Sequence, residues 1–159
     1  NKCRFVDTAA SMNFVDLIVT TTTDNQADRL EFTNNVVISP DTGNNGVISI
    51  LGDLDGLVFN NNSIFMGVAN SEAILSVATG KDVTNCEVTH NNIYRLNSAG
   101  DLLIDSDTTA NSGIIAHNRI GHADTSGEVL IDADGVRQFD NLGSATDTAS
   151  GYVLPAIDS

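Results

Sequence analysis

Cys86-Glu87-Val88-Thr89-His90-Asn91-Asn92-Ile93 reads as an alternating strand, an asparagine-containing turn and the start of another strand. A short aliphatic run follows, Leu102-Leu103-Ile104-Asp105-Ser106-Asp107, ending in carboxylates. Twenty-seven positions on, the text nearly repeats. Ala99-Gly100-Asp101-Leu102-Leu103-Ile104-Asp105-Ser106-Asp107 becomes Ser126-Gly127-Glu128-Val129-Leu130-Ile131-Asp132-Ala133-Asp134. Gly, Leu, Ile and two Asp residues are identical between the two stretches, and most other exchanges are conservative.

Taking Asn91 as a marker, apolar slots fall five and three residues before it (Cys86, Val88) and two after it (Ile93). The template also fits Leu30, Phe32, Asn35, Val37, then Leu57, Phe59, Asn62, Ile64, and then Gly113, Ile115, Asn118, Ile120. The steps between these asparagines are 27, 29 and 27 residues, and a further 27 back from Asn35 lies Thr8, flanked by Cys3, Phe5 and Ala10. A second strand follows each marker: Leu17-Ile18-Val19, Val47-Ile48-Ser49-Ile50, Ile74-Leu75-Ser76-Val77, Leu102-Leu103-Ile104 and Val129-Leu130-Ile131. β-Branched residues fill the apolar runs and no sustained helical spacing occurs, so the chain is expected to be all-β.

A period of this length marks a solenoid, propeller or array. Short strands joined by turns, without helices, predict a single-domain parallel β-helix of about five coils over residues 1–142. Residues 143–159 are expected to form a C-terminal arm or cap. Equivalent residues would then stack about 4.8 Å apart. The rival is a sandwich of short strands, which needs no fixed period. The marker positions Thr8, Asn35, Asn62, Asn91 and Asn118 are expected to form a ladder, because a side-chain amide donates and accepts along such a column while satisfying turn backbone groups. That role is structural.

The composition sets limits. Apolar residues make up 41% of the 159, enough for a core, but there is no Trp and aromatics are only 5%, so the core must be aliphatic. Seven basic residues stand against 21 acidic ones, a formal charge of −14, which argues against nucleic acid and suits solubility, calcium or a basic partner. No apolar run approaches the roughly 20 residues of a membrane span. The chain starts at Asn1 and not at Met, so a leader or longer N-terminus is compatible with it. Cys3 and Cys86 fall in the same template slot three coils apart, too far for a disulfide, and are expected to be free, small core residues.

Few constellations carry chemistry. Asp105 and Asp132 share one column, Asp107 and Asp134 another, and Asp101 and Glu128 a third. Stacked carboxylates repel unless solvated, protonated or bridged by a cation, so these aspartates are the calcium candidates, against the plainer reading of a solvated acidic face. His90 and His117 are also 27 apart, each immediately before a marker, with His122 nearby. They are expected to stack beside the ladder; a His pair is able to bind a metal, but no third ligand of matching spacing is evident. Thr20-Thr21-Thr22-Thr23 occurs once and does not recur as an ice-binding array would. Val136, Phe139 and Leu142 begin a sixth coil, after which the template is lost. Tyr152-Val153-Leu154-Pro155-Ala156-Ile157 closes the arm with apolar residues suited to capping the chain's own coil or reaching a neighbouring subunit.

Ile114-Ile115-Ala116-His117-Asn118-Arg119-Ile120-Gly121, Thr125-Ser126-Gly127-Glu128-Val129-Leu130-Ile131, Gln138-Phe139-Asp140-Asn141 and Ala149-Ser150-Gly151-Tyr152-Val153-Leu154-Pro155-Ala156-Ile157-Asp158-Ser159 together resemble the C-terminal portion of structural proteins of tailed bacteriophages. The preceding coils resemble the broad right-handed parallel β-helix class. The resemblance covers less than a third of the chain. It implies right-handed coiling and a non-enzymatic virion component that decorates or cements the capsid exterior, and no catalytic residues carry over. The expected partners are the major capsid protein or neighbouring subunits in a homo-oligomer such as a trimer. Tyr152, Val153, Leu154, Pro155 and Ile157 are the candidate binding arm. The alternatives are a tail-spike-type polysaccharide lyase or hydrolase, or a passive glycan-binding adhesive module. The motifs of polygalacturonase-type hydrolases are incomplete here: Gly121-His122 is followed by Ala123, and Asp-Asp and Arg-x-Lys are missing.

Overall fold

The computed structural model describes residues 3–6, 15–17, 26–39, 46–66, 74–95, 104–106, 111–122, 131–133 and 135–142. Among them every regular element is a strand and none is a helix. Sheet 1 consists of β1 (Arg4–Val6), β4 (Val36–Ser39), β7 (Ser63–Met66), β11 (Asn92–Arg95) and β14 (Arg119–His122). Sheet 2 consists of β2 (Val15–Leu17), β5 (Ile48–Ile50), β8 (Leu75–Val77), β12 (Ile104–Ser106) and β15 (Ile131–Ala133). Sheet 3 consists of β3 (Gln26–Thr33), β6 (Asp53–Asn60), β10 (Cys86–Thr89), β13 (Gly113–Ala116) and β16 (Arg137–Phe139), and the short β9 (Val83–Thr84) also pairs with β6.

Every pairing is parallel, and the chain visits the sheets in rotation, 1 then 2 then 3, before returning to sheet 1 one strand further along. Parallel neighbours need a crossover between them. Here the crossover is made of strands in the other two sheets. The register carries the sequence period into space: Ile64 pairs with Ile93 and Ile93 with Ile120, Phe59 with Val88 and Val88 with Ile115, Leu75 with Ile104 and Ile104 with Ile131.

One apolar cluster draws on all three sheets. Val37, Ile64 and Ile93 come from sheet 1, Ile48, Ile50 and Leu75 from sheet 2, and Leu54, Leu57, Phe59, Val88 and Ile115 from sheet 3. Apart from Met66 and Cys86 it is aliphatic around Phe32 and Phe59, whose rings stack with centroids 5.4 Å apart. Burying each such side chain contributes roughly 1.5–3 kcal/mol.

Variation in repeat length is concentrated in one connection. From sheet 3 to sheet 1 the distance is constant, five residues from Phe32 to Val37, Phe59 to Ile64, Val88 to Ile93 and Ile115 to Ile120. From sheet 2 to sheet 3 it changes, from 11 residues between Ile48 and Phe59 to 13 between Leu75 and Val88 and 7 between Ile131 and Gln138.

The first repeat departs from the sequence reading. Arg4 pairs with Val36, which sets Cys3, and not Thr8, opposite Asn35; Thr8 itself lies outside the described residues. A step of 27 mis-set this register because the first repeat is longer, 32 residues from Cys3 to Asn35. Cys3 is therefore exposed and not a core residue, while Cys86 is buried; both are free. Two of the second strands begin one residue later than the aliphatic runs suggest, at Ile48 and Leu75.

Candidate functional site

The most highly organised polar feature is a column of amides at the turn from sheet 3 to sheet 1. The Oδ1 of Asn62 accepts from the backbone N–H of Asn35 (2.9 Å) and from its Nδ2 (3.2 Å). The Oδ1 of Asn91 accepts the same pair from Asn62, both at 2.9 Å. Asn118 does so for Asn91, and Asn141 for Asn118. The remaining Nδ2 hydrogen also has a partner: Asn62 donates to the Phe32 carbonyl, Asn91 to Phe59, Asn118 to Val88 and Asn141 to Ile115. Both donors and the acceptor of each interior amide are therefore used, as burial demands. The backbone N–H of Cys3 donates to Asn35 Oδ1 at the other end. Asn141 was not foreseen, because its step is 23 residues and Gln138 occupies the slot three before it, where the template has an apolar residue.

Each ladder asparagine is preceded by a residue at positive φ: Asn34, Asn61, His90, His117 and Asp140. Asn, Asp and His are the side chains that tolerate this left-handed conformation best, which explains both histidines as turn residues. Their rings lie side by side with centroids 5.0 Å apart and planes tilted by 32°. The edge of the next ring, Phe139, meets His117 at 5.5 Å, and His117 Nδ1 lies 3.8 Å from Asp140 Oδ2.

On the outer side of sheet 3, Arg29, Asp55, Gly56, Val58, Asn85 and Glu87 line an open cleft of about 420 Å³. Arg29 pairs with Glu31. Asp55 accepts from Asn85 Nδ2 (2.7 Å) and Thr84 Oγ1 (2.8 Å), and these two bonds hold its carboxyl below the usual carboxylate range. Glu87 accepts from Asn60 Nδ2 at 2.7 Å. The carboxylates here are held by neighbouring side chains and lie in an open cleft.

Of the calcium candidates, Asp105 and Asp132 are neighbours in register in sheet 2, with Ser76 beyond Asp105. Asp107 and Asp134 lie outside the described residues, as does the arm with Tyr152, Val153, Leu154, Pro155 and Ile157. Among the described residues no group of three or more His, Cys, Asp or Glu side chains is arranged to hold a metal ion.

Sheet 1 presents the most distinctive surface. One file of outward positions holds Arg4, Val36, Ser63, Asn92 and Arg119; the next holds Ile38, Phe65 and Tyr94. The inward positions between them, Val37, Ile64 and Ile93, are buried. Phe65 and Tyr94 stack, centroids 5.9 Å apart and planes within 13°, and Tyr94 is 44% exposed, Val36 40%. These side chains, with Ile38, border a shallow depression of about 290 Å³. None of the eight outward positions carries a carboxylate, in a chain with 21 of them, and two carry arginine. This face was not foreseen; its signal in the sequence was the column Ile38, Phe65, Tyr94, visible once marker asparagines are aligned and counted three residues onward.

Compared with family models, curated proteins and solved structures, the chain matches none of them.

Proposed function

We propose that this chain is a non-enzymatic structural protein that docks through the outer face of sheet 1, and that its three sheets close into one right-handed parallel β-helix of about five coils. The rotation of the chain through the sheets and the single core they share support the closure. The observation that carries the function is the carboxylate-free face itself. An apolar, aromatic patch with arginines at both ends of one file, on a chain of net charge −14, fits a protein surface with an apolar centre and an acidic rim. Arg and Tyr are the residue types that most often dominate binding energy at such interfaces.

The resemblance of the C-terminal third to tailed-phage structural proteins supports a virion setting, with the capsid exterior as the location and the major capsid protein or a neighbouring subunit as partner. An acidic surface suits a position away from packaged DNA. Antibodies against the chain, used for gold labelling of intact particles from its source, test the location. Label over the capsid supports the proposal; label confined to tail fibres removes the capsid location, and none on particles removes the virion reading. Tyr94→Asp should weaken retention on the partner surface while leaving the fold intact.

The competing reading is glycan degradation on the sheet 3 cleft, where Asp55 and Glu87 supply carboxylates. Release of reducing ends or unsaturated uronates from host polysaccharide, lost in Asp55→Asn, would favour it over docking.

A further inference from the structure

We propose that His90 and His117 form a two-imidazole site for a divalent transition-metal ion at the corner between sheets 3 and 1. Both rings are exposed, so an ion reaches them from solvent. Both belong to residues fixed at φ near +57°, one register step apart, in a turn whose length never varies. Their ring centres are 5.0 Å apart. Two imidazoles on one tetrahedral ion, each with a metal–nitrogen bond of about 2.0 Å, place their ring centres roughly 5 Å apart. The stacking step of the sheet thus supplies the bite of a chelate. Asp140, next in the same file, stands 3.8 Å from His117 Nδ1. At that distance the carboxylate is beyond hydrogen-bond reach, and its negative charge beside the ring favours a bound cation. Water would complete the coordination, since the protein offers only two nitrogens. Imidazole donors select zinc, nickel and copper over calcium and magnesium, with copper bound most tightly of the divalent series.

The file itself supplies replacements that keep the turn: Asn34 and Asn61 hold the same left-handed position in earlier repeats. His90→Asn and His117→Asn therefore remove the imidazoles without removing the conformation. Titration of the full chain with Ni²⁺ and Zn²⁺ in a calorimeter should show one saturable site. Each single histidine variant should lose at least about 10-fold in affinity, and Asp140→Asn a smaller factor. Melting temperature should rise with Zn²⁺ in the wild type and not in the double variant. The proposal is overturned if no saturable site is found, or if the site survives in a folded His90→Asn/His117→Asn chain.

Discussion

Each interior asparagine of the ladder closes bonds for three repeats at once, so its loss is felt beyond its own position. Asn62→Ala would orphan the Asn35 N–H and Nδ2 and take one donor from the Phe32 carbonyl. With each buried orphan worth about 1–3 kcal/mol, the expected loss is about 3 kcal/mol or more by urea unfolding. Asn35→Ala, at the end where a single N–H from Cys3 is received, should cost clearly less. Equal losses at both sites would contradict the ladder account. Cys86 offers a second test. Burial pushes its thiol up to about 11 from an ordinary 9.0, so the folded chain holds this proton more tightly than the unfolded one. The resulting stabilisation is complete below pH 9 and declines as pH rises from about 9 towards 11. A thiol reagent at pH 8 should label Cys3 at once and Cys86 only on unfolding. Gly113 opposes Cys86 in register with φ +133°, and a Cβ there would fall 2.1 Å from the Cys86 carbonyl oxygen. Gly113 is therefore not one of the template's apolar slots in any energetic sense; it is the space that lets Cys86 lie flat.

Among the elements, the turns divide into two kinds. The sheet 3 to sheet 1 turn is fixed at one left-handed residue followed by the ladder asparagine, and an added residue would carry that amide out of its column. The sheet 2 to sheet 3 connection already varies by several residues, so it has no such constraint. Inserting two glycines after the exposed Gly80 should change stability by no more than about 0.6 kcal/mol, the cost of modest loop lengthening. One glycine inserted between His90 and Asn91 should cost several times as much, measured in the same denaturant series. The strands and the ladder were legible because inward positions recur against a marker whose chemistry is itself repetitive. Thr8 was misplaced because a 27-residue step was extended into a longer repeat, and nothing at Cys3 resembles an asparagine. Asn141 was overlooked for the opposite reason, a repeat shortened between Ile131 and Gln138. Asn111, whose Oδ1 receives the Val83 N–H at 2.9 Å, supports a turn without recurring in the pattern.

For the whole molecule, the fold was more legible than the site. Periodicity reports which residues point inward, because burial repeats; it is silent on which outward face is left for a partner. Sheet 1 shows this plainly, since the half-buried Ile38 and Phe65 and the exposed Tyr94 read singly as ordinary outward residues and become a surface only when stacked. Phe65→Asp and Tyr94→Asp should each alter urea stability by less than about 1 kcal/mol, in line with substitutions on an exposed surface. Combined, they should eliminate partner binding in co-sedimentation. A stability loss matching a core truncation would instead make this face part of the packing.

The inward file Phe32, Phe59, Val88, Ile115 ends on Gln138, whose side-chain oxygen and nitrogen are buried without a partner. A stack of parallel strands has no intrinsic length; any bare terminal rung is a template for the next, and identical chains adding end to end would make a fibre. An amide at the inward position makes the last described rung of sheet 3 a poor seed, because its unpartnered oxygen and nitrogen interrupt the apolar file that a newcomer would continue. Gln138→Leu should therefore stabilise the fold by about 1–3 kcal/mol and, in light scattering, increase end-to-end association relative to the wild type.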